Sequence, residues 1–437
     1  MFLLIYIVCA LNFIIYYIYI MHFWIFQTGE PLHIDKDKLR PMRGMNLANT
    51  LIQRGHSVLL LSSSFYHQKK YHRSKKFKKI KINNFLKILL IPSPGYKKNL
   101  SVSRLYDHFM LAYNLKKILN SQIKLPDVAF VGYPPIETAY VLVKWLKKKN
   151  IPNILDIKDL WPQVFVDAFP VLIRPFAKLL FFPYFHISKK IIKESTAISS
   201  ISKSFLNWSI TFSGRRKSKH DIISSLTSPN DNYISTDKTK VLNWWSQRDV
   251  KNNKVFKVIF VGSFSKAFDF DTILKVASDI LKEKINCDFI LCGGGEMFEY
   301  VKTKSKKYKN IKIFDWIDRE KIISLAKISS AFIAPYKNNS DFMKSIPNKV
   351  IDAFKFGLPL LSPLKGEVRN LINNSKVGIS YNDEKSLLLA IKKLMSDELI
   401  CKLYSNNSIK LYKKNFEFNR AYNQLVDNLE NLNKKNE

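Results

Sequence analysis

The chain reads as an α/β protein built from two doubly wound, Rossmann-like halves. Three observations carry that expectation. Apolar runs of five to seven residues alternate with helical stretches through both halves, the pattern of parallel sheets. That rhythm breaks at 207–254, a stretch rich in Ser, Asn, Lys and Asp. It then resumes with the same strand-and-helix spacing to the end.

In the first half the strand-like runs are 21–26, 57–62, 87–92, 127–132, 153–157 and 196–201. Residues 42–54 carry apolar side chains at helical spacing and stop at Gly55. A further helix over 136–149 ends in Lys147, Lys148 and Lys149, where cations suit the helix dipole. The second half offers strands at 256–262, 287–292, 311–314, 331–335 and 358–362, with 377–381 at an edge, and a charged helical stretch over 403–432. The expected organisation is a hydrophobic leader at 1–20, a first domain at 21–206, a linker region at 207–254, a second domain at 255–402, and a C-terminal helix at 403–437 crossing back to the first domain. At 437 residues the chain has the length of two or three domains of ~150 residues.

Residues 2–20 are uncharged and mostly apolar, near the ~20 residues that cross a bilayer. They read either as a membrane anchor or as an upstream extension of the start, because Met21 heads the first strand directly. The four cysteines, at 9, 287, 292 and 401, form neither a disulfide framework nor a CxxC metal site, and the eight histidines show no HxxxH or HExxH spacing. The net charge is +36, with 59 of the 71 basic residues Lys. That suits an anionic surface, and it also fits a composition biased toward Lys, Ile and Asn. The dense basic stretch at 67–81, with Tyr71 and Phe77 inside it, reads as a lipid-headgroup contact or as a solvated loop. Residues 171–187 are apolar enough for a membrane interface, with a buried, kinked helix as the alternative.

The segment 345–363 is the most specific local signal. Ser345 is expected to cap a helix, with Pro347 in its first turn, Lys349 beside it and Asp352 a turn further on. Gly357 and Pro359 end the helix before a short apolar strand. A helix N-terminus with a nearby Lys suits a diphosphate, and a carboxylate one turn deeper suits a ribose diol. Other loops follow strands. Gly262-Ser263-Phe-Ser-Lys266 would bring a cation to a leaving diphosphate or simply carry a solvated lysine, and Gly293-Gly294-Gly295-Glu296 would let backbone approach a ligand or make a tight strand-to-helix turn. Asp159 and Trp161 suit a sugar, the carboxylate for hydroxyls and the indole for an apolar face, or else Trp161 packs in the core and Asp159 caps a helix. After the first strand the run Gln27-Thr-Gly29-Glu30 lacks GxGxxG, which disfavours NAD or FAD. In Asp269-Phe-Asp271 the expected role is capping of the next helix by Asp271 and not metal ligation.

Together, Arg40-Pro-Met-Arg43-Gly-Met-Asn-Leu-Ala with Arg54-Gly-His56, Asp156-Ile-Lys-Asp-Leu-Trp-Pro162, Val261-Gly-Ser-Phe-Ser-Lys266 and Pro347-Asn348-Lys-Val-Ile-Asp352 with Gly357-Leu-Pro359 resemble the retaining GT-B glycosyltransferases of family 4. The nearest flavour is the O-antigen and capsule assembly branch, similar to N-acetylfucosaminyl transferases, and the likeness spans roughly 21–430. It implies two facing domains with an interdomain cleft, a UDP-sugar donor, and a lipid-linked or glycan acceptor at the cytoplasmic face of the inner membrane. It implies no metal or other cofactor and no nucleic acid. Lys266 and Lys349 would hold the diphosphate, Asp352 the ribose, and 314–318 with Trp316 the base; Tyr336 to Ser345 would meet the donor sugar. Gly262, Ser263, Gly294, Gly295 and Asn348 would complete the donor side, and Gly29, Glu30, Arg43, Asp159 and Trp161 the acceptor side. The family's E-x7-E pair is incomplete, with Lys344 at the first position and Asp352 at the second. A UDP-sugar 2-epimerase on the same fold and a non-catalytic basic binding protein are the competing readings.

Overall fold

A computed structural model describes residues 20–35, 41–99, 101–121, 124–231 and 238–433. The hydrophobic leader therefore lies almost wholly outside the described residues. The chain divides into two compact units. Unit 1 comprises 1–200, 205–224 and 422–437; unit 2 comprises 201–204 and 225–421.

The strands of unit 1 are β1 (His22–Phe26), β2 (Ser57–Ser63), β3 (Phe65–Tyr66), β4 (Tyr71–His72), β5 (Lys78–Lys81), β6 (Leu86–Ile91), β7 (Val128–Tyr133), β8 (Asn153–Ile157), β9 (Ala197–Ser200) and β10 (Ile222–Ile223). Its main sheet has the order β10-β9-β8-β7-β1-β2-β6-β5. Every pairing is parallel except β5 against β6. The central strands bury nearly every residue, as continuous Val/Ile/Leu runs demand when helices cover both faces. Unit 2 holds β11 (Phe256–Val261), β12 (Cys287–Cys292), β13 (Ile311–Phe314), β14 (Ala331–Ile333), β15 (Leu360–Ser362) and β16 (Gly378–Ser380), all parallel, in the order β13-β12-β11-β14-β15-β16. In both sheets the order of the strands switches side beside the first strand, between β1 and β7 and between β11 and β14. In such sheets ligands sit beyond the carboxyl ends of the strands at that switch point.

The structure revises several sequence expectations. The basic stretch is not a plain loop: Lys78, Lys79 and Lys81 form the exposed antiparallel edge strand β5. Lysines on an edge oppose strand-to-strand aggregation. The buried-helix alternative for 171–187 fails over Arg174–Leu180, where Ala177 is the single buried residue. The 207–254 region is no uniform linker. Residues 205–224 belong to unit 1 and supply β10, whereas the chain from 225 belongs to unit 2, where Trp245 is fully buried and donates to Ser324 Oγ at 2.9 Å. The C-terminal stretch is two helices, Glu398–Asn415 and Phe418–Asn433, broken at Phe416. The first packs in unit 2 and the second in unit 1. There Glu430 accepts from His56 Nε2 at 2.8 Å, Asp427 accepts from Arg54 at 2.6 Å, and Tyr422 Oη accepts from Asn46. No described helix is long and apolar enough to cross a membrane.

Candidate active site

In unit 2 the loops after β11 and β12 are laced by backbone bonds. Phe264 N–H donates to Gly294 O at 2.8 Å, Met297 N–H to Phe264 O at 2.9 Å, and Gly262 N–H to Cys292 O at 2.9 Å. This closeness requires glycine. A Cβ on Gly293 would lie 1.9 Å from Gly262 O, and one on Gly295 would lie 2.7 Å from Phe264 O. Both residues have φ near +140°, open only to glycine. Lys266 stands exposed in the first loop, its N–H donating to Glu296 Oε1 at 3.0 Å, with exposed Ser263 three residues before it.

Lys349 comes from the helix Asn348–Phe356, which precedes β15. Its Nζ occupies the space a Cβ on Gly262 would need, 1.8 Å from that position, and lies 5.2 and 5.1 Å from the ring centres of Phe260 and Phe268. The cation is thus held at the carboxyl end of β11 by a glycine that makes room and by two ring faces. Pro347, not Ser345, is the N-cap, and no side chain caps the helix. Ser345 instead ends the short preceding helix, buried, because Pro347 already sets the extended conformation an N-cap needs. Gly357 closes the helix with φ +65°, as its position predicts. Trp316 is 64% exposed, with its indole nitrogen 2.7 Å from where a Cβ on Gly294 would stand. Tyr336 does not present its ring: it is buried, 4.6 Å from Phe268 and 4.7 Å from Phe342. Asp269 rather than Asp271 caps the next helix, accepting from Thr272 N–H at 3.2 Å. Asp271 accepts from Tyr300 Oη.

Asp352 lies one turn below Lys349. Ser228 Oγ donates to its Oδ1 at 2.6 Å. Arg319 reaches Ser228 Oγ at 3.3 Å and grips Asp231 through two bonds of 2.8 Å, while Lys355 also pairs with Asp231. Burial works to raise the Asp231 pKa, and the Arg319 and Lys355 bonds outweigh it, so it falls. Ser228, Asp231 and Arg319 were invisible to sequence reasoning, because 225–231 looked like linker and its partners lie about 90 to 125 residues away.

In unit 1 the predicted acceptor-side residues Glu30 and Arg43 are buried and already partnered. Arg43 makes two bonds of 2.7 Å to Asp156 and one of 3.0 Å to Ser199 Oγ. Glu30 accepts from Gly44 N–H at 2.8 Å and from Lys158 Nζ at 2.9 Å. Lys158 also donates to Gln27 Oε1, whose side chain fills the space over Gly132. This lattice gathers at the carboxyl ends of β1, β7, β8 and β9, at the switch point, and makes Arg43 and Glu30 positioning residues. Gly29 takes φ +75° beside His67. Trp161 does not offer a face for a sugar: it is buried in packing, 4.5 Å from Phe165 and 5.7 Å from His108, with the Arg104 guanidinium 5.0 Å from its ring. Burial raises the Asp159 pKa. His108 Nδ1 lies 3.7 Å from Glu137 Oε2, and burial raises the carboxyl pKa of Glu137 and of Asp107. Among the described residues no group of three His, Cys, Asp or Glu side chains is arranged to hold a metal.

All eight histidines lie in unit 1. Burial lowers His22 and His67 to about 4 and His108 to about 3, with Lys124, Lys70 and Arg104 respectively adding to the effect. Each is neutral in the fold, whereas the unfolded chain takes up protons below pH ~6.5. Stability is therefore complete above that pH and declines as pH falls toward 4. Asp107, Glu137 and Asp159 oppose this in part, since raised carboxyl pKa values favour the fold in acid. Unit 1 is therefore expected to lose stability between pH ~6.5 and ~4. Unit 2 is expected to hold until its carboxylates titrate. Amide exchange against pH, read separately for the two units, checks this.

Residues 244–435 match the model of the family described as Glycosyl transferases group 1. An uncharacterized glycosyltransferase of Methanocaldococcus jannaschii is 25% identical over 413 residues, covering 79% of this chain and all of that protein. Among solved structures, Anabaena HepE in complex with UDP superposes with a TM-score of 0.62 at 12% identity, covering 94% of this chain and 100% of HepE. WaaG, a glycosyltransferase involved in lipopolysaccharide biosynthesis, superposes with a TM-score of 0.60 at 12% identity, covering 94% and 99%. The fold is that of the GT-B glycosyltransferases, and the findings together support a glycosyltransferase.

Proposed function

We propose that this glycosyltransferase of GT-B fold moves a sugar from a UDP-sugar, such as an N-acetylated hexosamine donor, to a lipid-linked or glycan acceptor with retention, in assembly of a surface polysaccharide at the cytoplasmic face of the inner membrane. One observation carries the reading: the Lys349 ammonium seated against Gly262 at the switch point of unit 2, in the first turn of a helix that no side chain caps. A diphosphate there meets a fixed cation and helix N–H groups. Lys266, exposed on the loop after β11, supplies a second cation, and Asn348 opens the helix. Trp316 beside Gly294 offers a stacking face for the base, and Asp352 a carboxylate for the ribose. UDP and lipopolysaccharide synthesis enter through HepE and WaaG as support by likeness. Charge stabilisation of the leaving diphosphate and positioning would supply most of the rate, with no metal and no carboxylate nucleophile, so departure and attack share one face.

The test is calorimetric titration with UDP, ADP and GDP, followed by NMR assignment of the product anomer. UDP is expected to bind selectively, and Trp316→Ala to weaken it about tenfold through lost stacking. An inverted product would sink the retention proposal; absence of nucleotide binding would sink the whole reading. One observation favours a second reading, a UDP-sugar 2-epimerase: His108, Glu137, Asp107 and Asp159 are drawn into one region of unit 1, which their sequence spacing did not reveal. Conversion of donor to an epimer without acceptor would select it.

A further inference from the structure

From residues 169–182 and the helix Val102–Leu119 we infer an anionic-lipid docking surface on unit 1 that holds a lipid-linked acceptor at the membrane. The acceptor clause rests on the transferase reading; the surface does not. Val171, Leu172, Phe176, Leu179, Leu180 and Phe182 are all exposed, Leu172 to 89% and Phe176 to 73%. The helix Arg174–Leu180 thus turns its large apolar side chains outward and only Ala177 inward, the reverse of a helix that packs on a core. A second stripe, Val102, Tyr106, Phe109 and Tyr113, is exposed along one face of the helix Val102–Leu119, at spacings of four, three and four. An aromatic column joins the two. Arg104, from the same helix, lies 5.0 Å from the Trp161 ring, Trp161 is 4.5 Å from Phe165, and Phe165 is 5.1 Å from the half-buried Phe181 at the end of the first patch.

Charge selects the occupant. Residues 168–193 contain no Asp or Glu, and they carry Arg174, Lys178, Lys189, Lys190 and Lys193. Lys97 and Lys98 stand exposed just ahead of the second stripe. Asp167, just ahead of this span, lies 4.0 Å from Arg174, and the four lysines leave the patch strongly cationic; apolar side chains beside an excess of cations match the boundary between acyl chains and anionic headgroups. A second copy of a chain with net charge +36 would bring like charges together at this face, which disfavours self-association. The buried ring of Trp161 packs between the two stripes and ties them into one surface. An acceptor anchored in the membrane would then be held beside unit 1 without leaving the bilayer.

The test is hydrogen exchange on the full chain with vesicles of phosphatidylglycerol and phosphatidylethanolamine, with phosphatidylcholine vesicles, and with UDP alone. The expected result is slowed exchange in 169–182 and 102–113 on anionic vesicles only, at least fivefold. The variant Leu172→Ser/Phe176→Ser/Leu179→Ser is expected to lose that local protection. Vesicle binding without protection of these segments would overturn the proposal, as it would mean that another part of the chain holds the lipid. Protection that rises with protein concentration in the absence of lipid would also overturn it, as a self-association face. UDP protection of 262–266 and 293–297 reports the transferase reading in the same experiment, so either idea can fail alone.

Discussion

Lys349→Ala is expected to lower kcat for the true donor by about 10²–10³-fold while leaving the melting of unit 2 nearly unchanged. Gly262, at φ +144°, leaves the volume that Lys349 Nζ fills, and the rings of Phe260 and Phe268 hold the ammonium from the side. A cation preset at the end of β11 needs no reorganisation when charge develops on a departing diphosphate, so its removal falls on the transition state more than on binding. Lys349→Arg is expected to rescue little, because a planar guanidinium is wider than the slot. Gly262→Ala is the reciprocal change: its Cβ would displace Nζ and force an L-residue into a strained conformation. Steady-state kinetics with a melting curve for each variant checks the set. Unchanged turnover in Lys349→Ala would remove this lysine from the diphosphate role.

Arg43→Ala is expected to destabilise unit 1 by about 3–5 kcal/mol. Asp156 has no exposure to solvent, and both of its oxygens accept from Arg43 at 2.7 Å. Burial opposes the Arg43 charge, and Asp156 outweighs it, so the arginine pKa rises. Truncation would leave a buried carboxylate with Gln27 Nε2 at 3.5 Å and no cation in contact. The double change Arg43→Met/Asp156→Leu is expected to recover most of the loss, since removing both partners strands no charge. Arg43→Lys is expected to recover less, having no fork to match two oxygens. Urea unfolding followed by probes in each unit separates this loss from any effect on unit 2. A loss below about 1 kcal/mol for Arg43→Ala would show that Asp156 is solvated or neutral and that the lattice around Gln27, Glu30 and Lys158 does not depend on the pair.

Much of the strand framework was legible because it is written at short range. The runs at 57–62, 127–132 and 287–292 are strands within one residue at each end, since an unbroken apolar run between turn residues has few other uses. Gly357 was legible for the same reason: a helix end needs a left-handed residue, and glycine adopts that conformation without strain. The lysines of β5 were harder. Their strand exists because β6 offers a free edge, which nothing within 67–81 announces.

The site residues divide along the same line. Lys349, Gly262, Gly294 and Trp316 were candidates from their own loops, yet only the order β12-β11-β14-β15 brings a helix before β15 beside the end of β11. Ser345, Glu30 and Tyr336 looked like ligands in isolation, and packing gave each of them a protein partner. Asp156 meets Arg43 across 113 residues and Ser228 meets Asp352 across 124. By itself the sequence determined where the strands and helix ends lie and that both halves wind the same way, because those features depend on neighbours a few residues apart. Which charges pair, which aromatic rings are buried and which apolar helix is left facing outward were decided by the tertiary structure alone, because burial and ion pairing depend on groups that chain topology brings together from far along the sequence.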